Sequence, residues 1–439
     1  MVVILKIIQV ILALSLLVLV HEFGHFIFAK IFRIRVEKFY LFFPPALLRF
    51  KPKGGETEFG IGMIPLGGFC KISGMVDESL DTKGLKNPPQ KWEFRSRPAW
   101  QRLLVMSGGV LMNFITAAVI YSFSLFTWGQ EYLRTEDAIY GIEVNSLSKE
   151  MGFCNGDILL QFDSKPLPEN FSELQMYLIR DKVKQVTLLR QGDTINIEID
   201  DAYIPAMLNT PGIFSFRAPL AIREIPDSSI NFESGLKAGD SFLSINGAEC
   251  RFFDQLHNEL GKYSNSTAPL CVMRDSTIMT IPVAVNNEGK IEVFLQYDIK
   301  DFNITRKEYD LLSSIPAGIE LMYTSVTNYI KELGLIFTPK TQAYKSVGSF
   351  IAIGNVFPDT WNWRIFWNIT AMLSVMLGIM NLLPIPALDG GHILFTLFEI
   401  VTRKKPSDRF MEIAQVLGMV LLLAIMFLAI GNDFIKLLK

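Results

Sequence analysis

Charged residues, histidines and cysteines are all scarce in this sequence. Lysine, arginine, aspartate and glutamate make up 20% of its 439 residues, whereas apolar residues make up 50%. That balance is too apolar for an ordinary soluble enzyme and favours a membrane protein. The formal net charge is only -2, and no dense basic stretch with interleaved aromatic residues occurs. Nucleic acid is therefore not an expected partner.

Only four cysteines are present, and neither a CxxC pair nor the regular spacing of a disulfide framework occurs. A disulfide-rich scaffold is thereby excluded. Cys250 and Cys271 both fall in a segment that the charge pattern places outside the cell membrane, where a disulfide can form. No cysteine spacing supports that pairing and buried free thiols are common, so free thiols are favoured while the disulfide stays open.

The apolar residues are concentrated in four blocks, each long enough to cross a hydrocarbon core of about 30 Å as a helix. The predicted spans cover residues 2–32, 103–128, 365–388 and 413–437. The first block is not expected to be a cleaved signal peptide, because no small-x-small cleavage site follows it and its apolar pattern continues beyond residue 25.

Lysine and arginine placement predicts the orientation of these spans. Thirteen such residues lie between residues 33 and 102, and four more precede the fourth span. Loops rich in lysine and arginine stay in the cytoplasm. Both termini and the middle of the chain are therefore expected outside, which in a bacterium means the periplasm.

An internal repeat lies between the second and third spans. The segments GFCNGDILLQFDSKPL and GLKAGDSFLSINGAEC each place a Gly-Asp turn before an alternating apolar strand, which predicts two similar β-rich domains. The matched positions are Gly152, Gly156, Asp157 and Leu160 with Gly235, Gly239, Asp240 and Leu243. Both segments resemble the core of a PDZ domain, and this implies peptide binding at a sheet edge. Turns that only close β-hairpins are the alternative.

The sequence HEFGH at residues 21–25 lies inside the first apolar block. On a helix His21 and His25 are one turn and about 40° apart, so both imidazoles reach one metal ion. Glu22 falls beside them, where it can hold a water without ligating the metal. Each ionisable residue costs on the order of 2.5 kcal/mol to insert into a membrane helix, and metal binding is the natural compensation. A polar cluster satisfied by neighbouring helices is the alternative.

Catalytic zinc takes three protein ligands and leaves one position for water. The third predicted span ends in NLLPIPALDGGH, where Pro384 and Pro386 interrupt the helix and Asp389 needs a partner. The first and third spans run in the same direction, so HEFGH and Asp389 are expected at one depth, in the cytoplasmic half of the bilayer. Of the other two histidines, His257 lies in the exported region and His392 at the end of the third span.

These residues resemble the site-2 protease family of intramembrane zinc metalloproteases, most closely its bacterial regulator-of-sigma-E-protease type. The likeness rests on HEFGH and on an NxxPxPxLDG motif formed by Asn381, Pro384, Pro386, Leu388, Asp389 and Gly390. It implies Zn²⁺ held by His21, His25 and Asp389, with Glu22 as the general base. It also implies that Asn381 holds the substrate backbone or the developing oxyanion.

The resemblance further implies that the stretch GIGMIPLGGF forms a membrane-reentrant, β-hairpin-like loop whose edge receives an unwound substrate strand. The substrate-binding residues expected there are Gly60, Ile61, Gly62, Met63, Ile64, Pro65, Leu66 and Gly67. A glycine-rich cytoplasmic turn is the alternative. Asn113 matches the asparagine of the family's second-helix motif.

The predicted fold is a four-span α-helical bundle with a reentrant hairpin-like loop and two PDZ-like β-rich domains. Residues 1–128 and 365–439 hold the spans, 129–220 and 221–307 the PDZ-like domains, and 308–364 an amphipathic segment. That last segment either lies on the membrane surface or packs as an ordinary amphipathic helix.

The expected function is cleavage of transmembrane segments of single-span proteins, such as anti-sigma factors already trimmed outside, or signal-peptide remnants. The exported pair of domains would act as a size filter or docking site. A metal-ion transporter and a catalytically silent PDZ docking protein are the competing classes. A transporter has no need of a glutamate placed as a base, and a silent docking protein has no need of Glu22 and Asp389.

Overall fold

The computed structural model describes residues 2–75, 88–298, 302–346 and 348–437; Lys83 and Lys86 of the basic loop lie outside this part of the chain. Contacts divide the chain into a unit formed by Met1–Gln130 and Lys307–Lys439 and a second unit formed by Glu131–Arg306. The helices are α1 (Val2–Ile31), α2 (Ala99–Trp128), α3 (Ser146–Glu150), α4 (Leu174–Arg180), α5 (Ile204–Asn209), α6 (Phe253–Gly261), α7 (Leu311–Ile336), α8 (Phe350–Val356), α9 (Trp363–Leu382), α10 (Asp389–Thr402) and α11 (Asp408–Leu437).

Four helices of the described chain are long and apolar enough to cross a membrane: Val2–Ile31, Ala99–Trp128, Trp363–Leu382 and Arg409–Phe434. The four predicted spans are thus confirmed as helices. The predicted end of the third span is wrong, because α9 stops at Leu382 and α10 starts at Asp389. Pro384 and Pro386 lie in the gap, where they can neither donate backbone hydrogen bonds nor accommodate the preceding helical turn.

Helix α2 packs against both α9 and α7 in the first unit. Its buried residues Ala117, Ile120 and Tyr121 form one cluster with residues of α9 and of the inner face of α7. Gly318 of α7 lies against Ser122, and only a glycine permits this approach, because a Cβ there would be 2.2 Å from the Ser122 hydroxyl. Of the two arrangements left open for this segment, helix packing is therefore present along α7. The remaining face of α7 exposes Leu311, Leu312, Ile315, Ile319 and Tyr323.

Two long strands, β1 (Val36–Phe50) and β2 (Glu58–Ile72), pair as an antiparallel hairpin after α1. Both strands double back, so that residues 36–41 pair with 68–72 on one side and with 58–61 on the other. Residues 59–61 pair in turn with 48–50. The result is a sheet of four strand segments, in which residues 68–72 and 48–50 form the two outer edges.

The second unit contains two modules built from equivalent strands. The strands of the unit are β3 (Gln130–Leu133), β4 (Ile142–Val144), β5 (Ile158–Phe162), β6 (Lys165–Pro166), β7 (Gln185–Arg190), β8 (Asp193–Glu198), β9 (Phe214–Phe216), β10 (Leu220–Glu224), β11 (Ser241–Ile245), β12 (Ala248–Glu249), β13 (Ser266–Arg274), β14 (Thr277–Val285), β15 (Phe294–Tyr297) and β16 (Ile304–Lys307). The first module has the sheet order β6-β5-β7-β8 with β4 paired to β9, and the second has β14-β13-β11-β10-β15 with β12 paired to β11.

The repeat predicted from the sequence appears as two identical buried ion pairs. Asp157 accepts hydrogen bonds from both the Nε and the Nη2 of Arg190, at 2.7 Å each. Asp240 accepts the corresponding bonds from Arg274 at 2.6 and 2.7 Å. Each aspartate also caps its own Gly-Asp turn through a backbone N–H three residues earlier. The four cysteines are free, and Cys250 is buried.

Candidate metal centre

Helix α1 brings His21, Glu22 and His25 to its crossing with α2. A Cβ at Gly24 would lie 2.2 Å from the Gly108 carbonyl oxygen, so this close crossing requires glycine. Both histidines are buried, at 7% and 6% exposure, although α1 as a whole is apolar. The helix pair therefore excludes solvent from one side of the two imidazoles.

Asp389 completes a group of three converging ligand atoms. Its Oδ2 lies 3.1 Å from His21 Nε2 and 3.3 Å from His25 Nε2, and the two Nε2 atoms are 3.3 Å apart. Ligands at about 2.0–2.1 Å from a tetrahedral zinc ion are separated by about 3.3 Å. The three atoms thus have the spacing of three corners of a zinc tetrahedron.

Helix α2 orients both imidazoles for metal binding. His25 Nδ1 is 2.9 Å from the Val105 carbonyl oxygen, so Nδ1 carries the proton and Nε2 keeps a free lone pair. His21 Nδ1 is 3.1 Å from the amide of Asn113. When Nε2 binds a metal, Nδ1–H needs an acceptor, and turning the Asn113 amide over supplies its Oδ1, which is otherwise a buried acceptor without a hydrogen bond among the described residues.

The donor set fits zinc. Two imidazole lone pairs and a carboxylate oxygen meet in a buried space, and Asp389 Oδ2 has no hydrogen-bond donor among the described residues. Three electron-pair donors at this separation repel one another unless a cation lies between them. Two nitrogens and one oxygen also match the ligands of catalytic zinc sites, which keep one position for water.

The break between α9 and α10 places Asp389. Gly390 and Gly391 allow the first turn of α10 to fold back onto the preceding segment, since a Cβ at Gly390 would be 2.1 Å from the Leu383 carbonyl oxygen. A Cβ at Gly391 would be 2.4 Å from the Pro386 Cα. The two prolines end α9 and the two glycines start α10, so the LDGG sequence determines where the carboxylate enters the site.

A cavity of about 530 Å³ opens beside the three ligands. Its walls include Glu22 from α1, Asn381 from α9 and three residues of α11, namely Gln415, Met419 and Leu422. Asn381 Nδ2 is 3.3 Å from His21 Nε2. The Cys70 backbone N–H lies near the Glu22 carboxylate. The predicted residues His21, Glu22, His25, Asn381 and Asp389 therefore meet at one place.

The predicted substrate-binding loop is only partly at the cavity. Gly60 and Ile61 pair with strand partners on both sides. Among the described side chains of this stretch, those of residues 60–65 and 67 do not line the cavity. The part of β2 that does line it is Gly68, Phe69, Cys70 and Ile72. Substrate binding by residues 60–67 stays a prediction.

Sequence reasoning missed the carbonyl of Val105, and it also missed the cavity residues Cys70, His392 and Gln415. Polar residues in apolar spans were the available signal. That signal could have identified His392 and Gln415, but it could not have identified a backbone carbonyl.

The chain is similar to known metalloproteases along almost its whole length. Residues 9–425 match the model of peptidase family M50, the site-2 proteases, and the protein belongs to that family. It is a zinc-dependent metalloprotease of the site-2 type. Protease RseP of Yersinia pestis is 28% identical over 453 residues, covering 97% of this chain and 98% of that protein. A protein of Treponema pallidum whose name describes a zinc metalloprotease is 25% identical, with 98% of both chains covered.

Proposed function

We propose that this protease cleaves transmembrane segments of single-span membrane proteins inside the bilayer. The observation that carries the proposal is the meeting of His21, His25 and Asp389 beside Glu22, in a cavity walled by apolar helices. Proteins already trimmed on the outside, such as anti-sigma factors, and signal-peptide remnants are the substrates with this form. The active site would lie in the cytoplasmic half of the membrane, with both termini and the second unit in the periplasm.

In this mechanism His21, His25 and Asp389 would hold zinc, which would supply the positive charge that polarises the scissile carbonyl and makes water more acidic. Glu22 accepts a proton from the attacking water and later gives it to the leaving nitrogen. Asn381 projects beside His21, where its amide holds the substrate backbone. The apolar walls exclude bulk water, which strengthens each of these electrostatic interactions.

Substrate recognition would use strand addition. A transmembrane helix shields its amides in hydrogen bonds, so it must unwind before attack. The outer edge of residues 68–72 has no further strand paired to it in the described chain and lines the cavity next to Glu22. A substrate strand added there would recover its backbone hydrogen bonds, and residues 60–67 would support this edge from within the hairpin.

The two modules of the second unit would act as PDZ-like domains that filter substrates by size. Two shared features support this assignment. Both modules have the Gly-Asp turn, and in both the last strand pairs with the first: β9 with β4, and β15 with β10. Peptide docking on the outer edges of β9 and β15 is the second form that such domains take.

The test is cleavage of a single-span substrate by the purified protease. The substrate is supplied in two forms, one intact and one truncated by removal of its outer domain. Wild-type protein with zinc should cleave the truncated form. Glu22→Gln should lower the rate by about 10²–10⁴-fold, the usual contribution of a general base, and should keep its zinc. Glu320→Gln, the same change at an exposed position of α7, serves as the matched control and should cleave normally.

Cleavage by Glu22→Gln at the wild-type rate would exclude Glu22 as the base. Loss of zinc together with activity would show that Glu22 supports the metal instead. If intact and truncated substrates are cleaved equally, the second unit does not filter by size, and the proteolytic mechanism itself is unaffected.

A further inference from the structure

His392 is a buried ionisable residue in the catalytic cavity that the mechanism above does not use. It lies in the first turn of α10 and is 9% exposed. Its side chain lines the cavity together with His21, Glu22 and His25. Because residues three apart are neighbours on a helix surface, His392 and Asp389 present their side chains to the same space.

The imidazole of His392 has no hydrogen-bond partner among the residues that the structure describes. Its backbone carbonyl accepts a hydrogen bond from the Thr396 hydroxyl, and this bond does not involve the ring. An unpaired polar group is costly in the interior of a protein, and more so within a membrane. Such a group is retained at low cost only where a cavity supplies its partner, which here is water or substrate.

His392 and Asn381 both line the cavity that contains the proposed metal ligands. Asn381 lies beside His21, with its Nδ2 3.3 Å from the Nε2 of that ring. His392 follows Asp389 by three residues in the first turn of α10. Amide hydrolysis requires a base for the attacking water and donors for the oxygen that becomes negative. Glu22 supplies the base, and Asn381 and His392 are the two donors that complete the set.

We propose that His392 is a catalytic residue whose ring N–H donates a hydrogen bond to the oxygen of the scissile carbonyl. When the water oxygen bonds to the carbonyl carbon, the π electron pair of the C=O bond moves to the carbonyl oxygen. The water proton moves to Glu22. His392 stabilises the resulting oxyanion. The pair then re-forms the C=O bond, the C–N bond breaks, and Glu22 returns the proton to the nitrogen. This role rests on the proposed function.

Two variants separate the hydrogen bond from packing. His392→Phe keeps a planar ring but removes the N–H, and His392→Gln keeps a donor of similar reach. Thr396→Val is the matched control on the same helix, because it removes a hydroxyl that donates to the His392 carbonyl oxygen at 2.7 Å without touching the cavity. Cleavage of the truncated membrane substrate is measured for all three, together with zinc content.

We expect His392→Phe to lower kcat by about 10²–10³-fold, the usual effect of removing an oxyanion donor. Its KM should stay within threefold and its zinc content should be unchanged. His392→Gln should recover at least tenfold of the lost kcat, and Thr396→Val should match the wild type. A phosphinic peptide, which carries a tetrahedral anionic centre, should bind His392→Phe at least tenfold more weakly.

Wild-type kcat in His392→Phe would overturn the proposal, as would equal loss in the Phe and Gln variants or zinc loss in parallel with activity. A raised KM with unchanged kcat would assign His392 to substrate binding alone and would also overturn it. Failure of the proposed function is distinguishable, because the wild-type protein would then leave the truncated substrate uncut.

Discussion

At the scale of single residues, Gly109 of α2 packs directly against His21 and His25, the proposed metal ligands. A Cβ built there would lie 2.5 Å from His25 Nε2 and 2.6 Å from His21 Cε1. We therefore expect Gly109→Ala to displace one or both imidazoles and to lower zinc affinity by at least tenfold, with loss of cleavage. Zinc titration of the purified variant measures this.

Gly431→Ala is the matched control for that change. It lies in another predicted span, and a Cβ there meets nothing within 4 Å. Alanine is favoured over glycine in a helix interior by about 1 kcal/mol, so this variant should bind zinc normally and be at least as stable. Wild-type zinc affinity in Gly109→Ala would contradict the prediction. It would show that α2 can shift enough to accommodate the added methyl group.

The residues that orient the proposed zinc ligands differ in how easily the sequence identifies them. Asn113 is a polar residue in an apolar span, and its resemblance to a family motif identified it. Its role beside His21 Nδ1 became apparent only when α1 and α2 were packed together. The contact of Val105 with His25 could not be predicted from the sequence, because it uses a backbone carbonyl, which every residue has.

At the scale of elements, an ion pair anchors α10 to α2. Arg102 Nη2 is 2.5 Å from Glu399 Oε1, and the side chains are only 9% and 20% exposed. Glu399→Gln leaves the guanidinium largely buried without its counter-charge, which typically costs about 3 kcal/mol. Because α10 begins with Asp389, the variant should show a lower melting temperature and weaker zinc binding. Thermal unfolding with and without zinc measures both effects.

Exchanging the two charges tests whether the pair itself is responsible. The double variant Arg102→Glu with Glu399→Arg should regain part of the stability that each single change removes. If the double variant is as unstable as the sum of the single variants, the two residues act independently and the anchor does not exist.

Among the elements, the four long helices were predictable because span length and apolar composition are local properties. Helix α10 was not predicted, since its 14 residues are too few to span a membrane and they merge with the apolar run before them. The doubling back of β1 and β2 was also not predicted. Pairing of 36–41 with two segments of β2 depends on contacts between distant residues.

At the scale of the whole molecule, the cysteines report on which side of the membrane the second unit lies. Cys154 is exposed, whereas Cys250 is buried and burial raises the pKa of its thiol to about 12. Maleimides react with thiolates. We expect an impermeant maleimide to label wild-type protein in intact spheroplasts, and Cys154→Ser to remove most of that labelling.

Cys70→Ser is the matched control, because Cys70 lies in the basic loop that is expected to face the cytoplasm. It should leave the labelling of spheroplasts unchanged. Labelling that appears only after lysis would place the second unit in the cytoplasm and would reverse the proposed topology.

The sequence by itself determined that this is a multi-span membrane protein with two histidines one helical turn apart and a glutamate beside them. Those properties depend on composition and on the 3.6-residue period of a single helix. Only the tertiary structure decided that Asp389 starts a separate helix, that α2 contacts both imidazoles, and that Gly68–Cys70, Ile72 and His392 line the same cavity. These features join segments up to 368 positions apart, from His21 to Asp389, and no local period encodes which side chains meet when such segments pack.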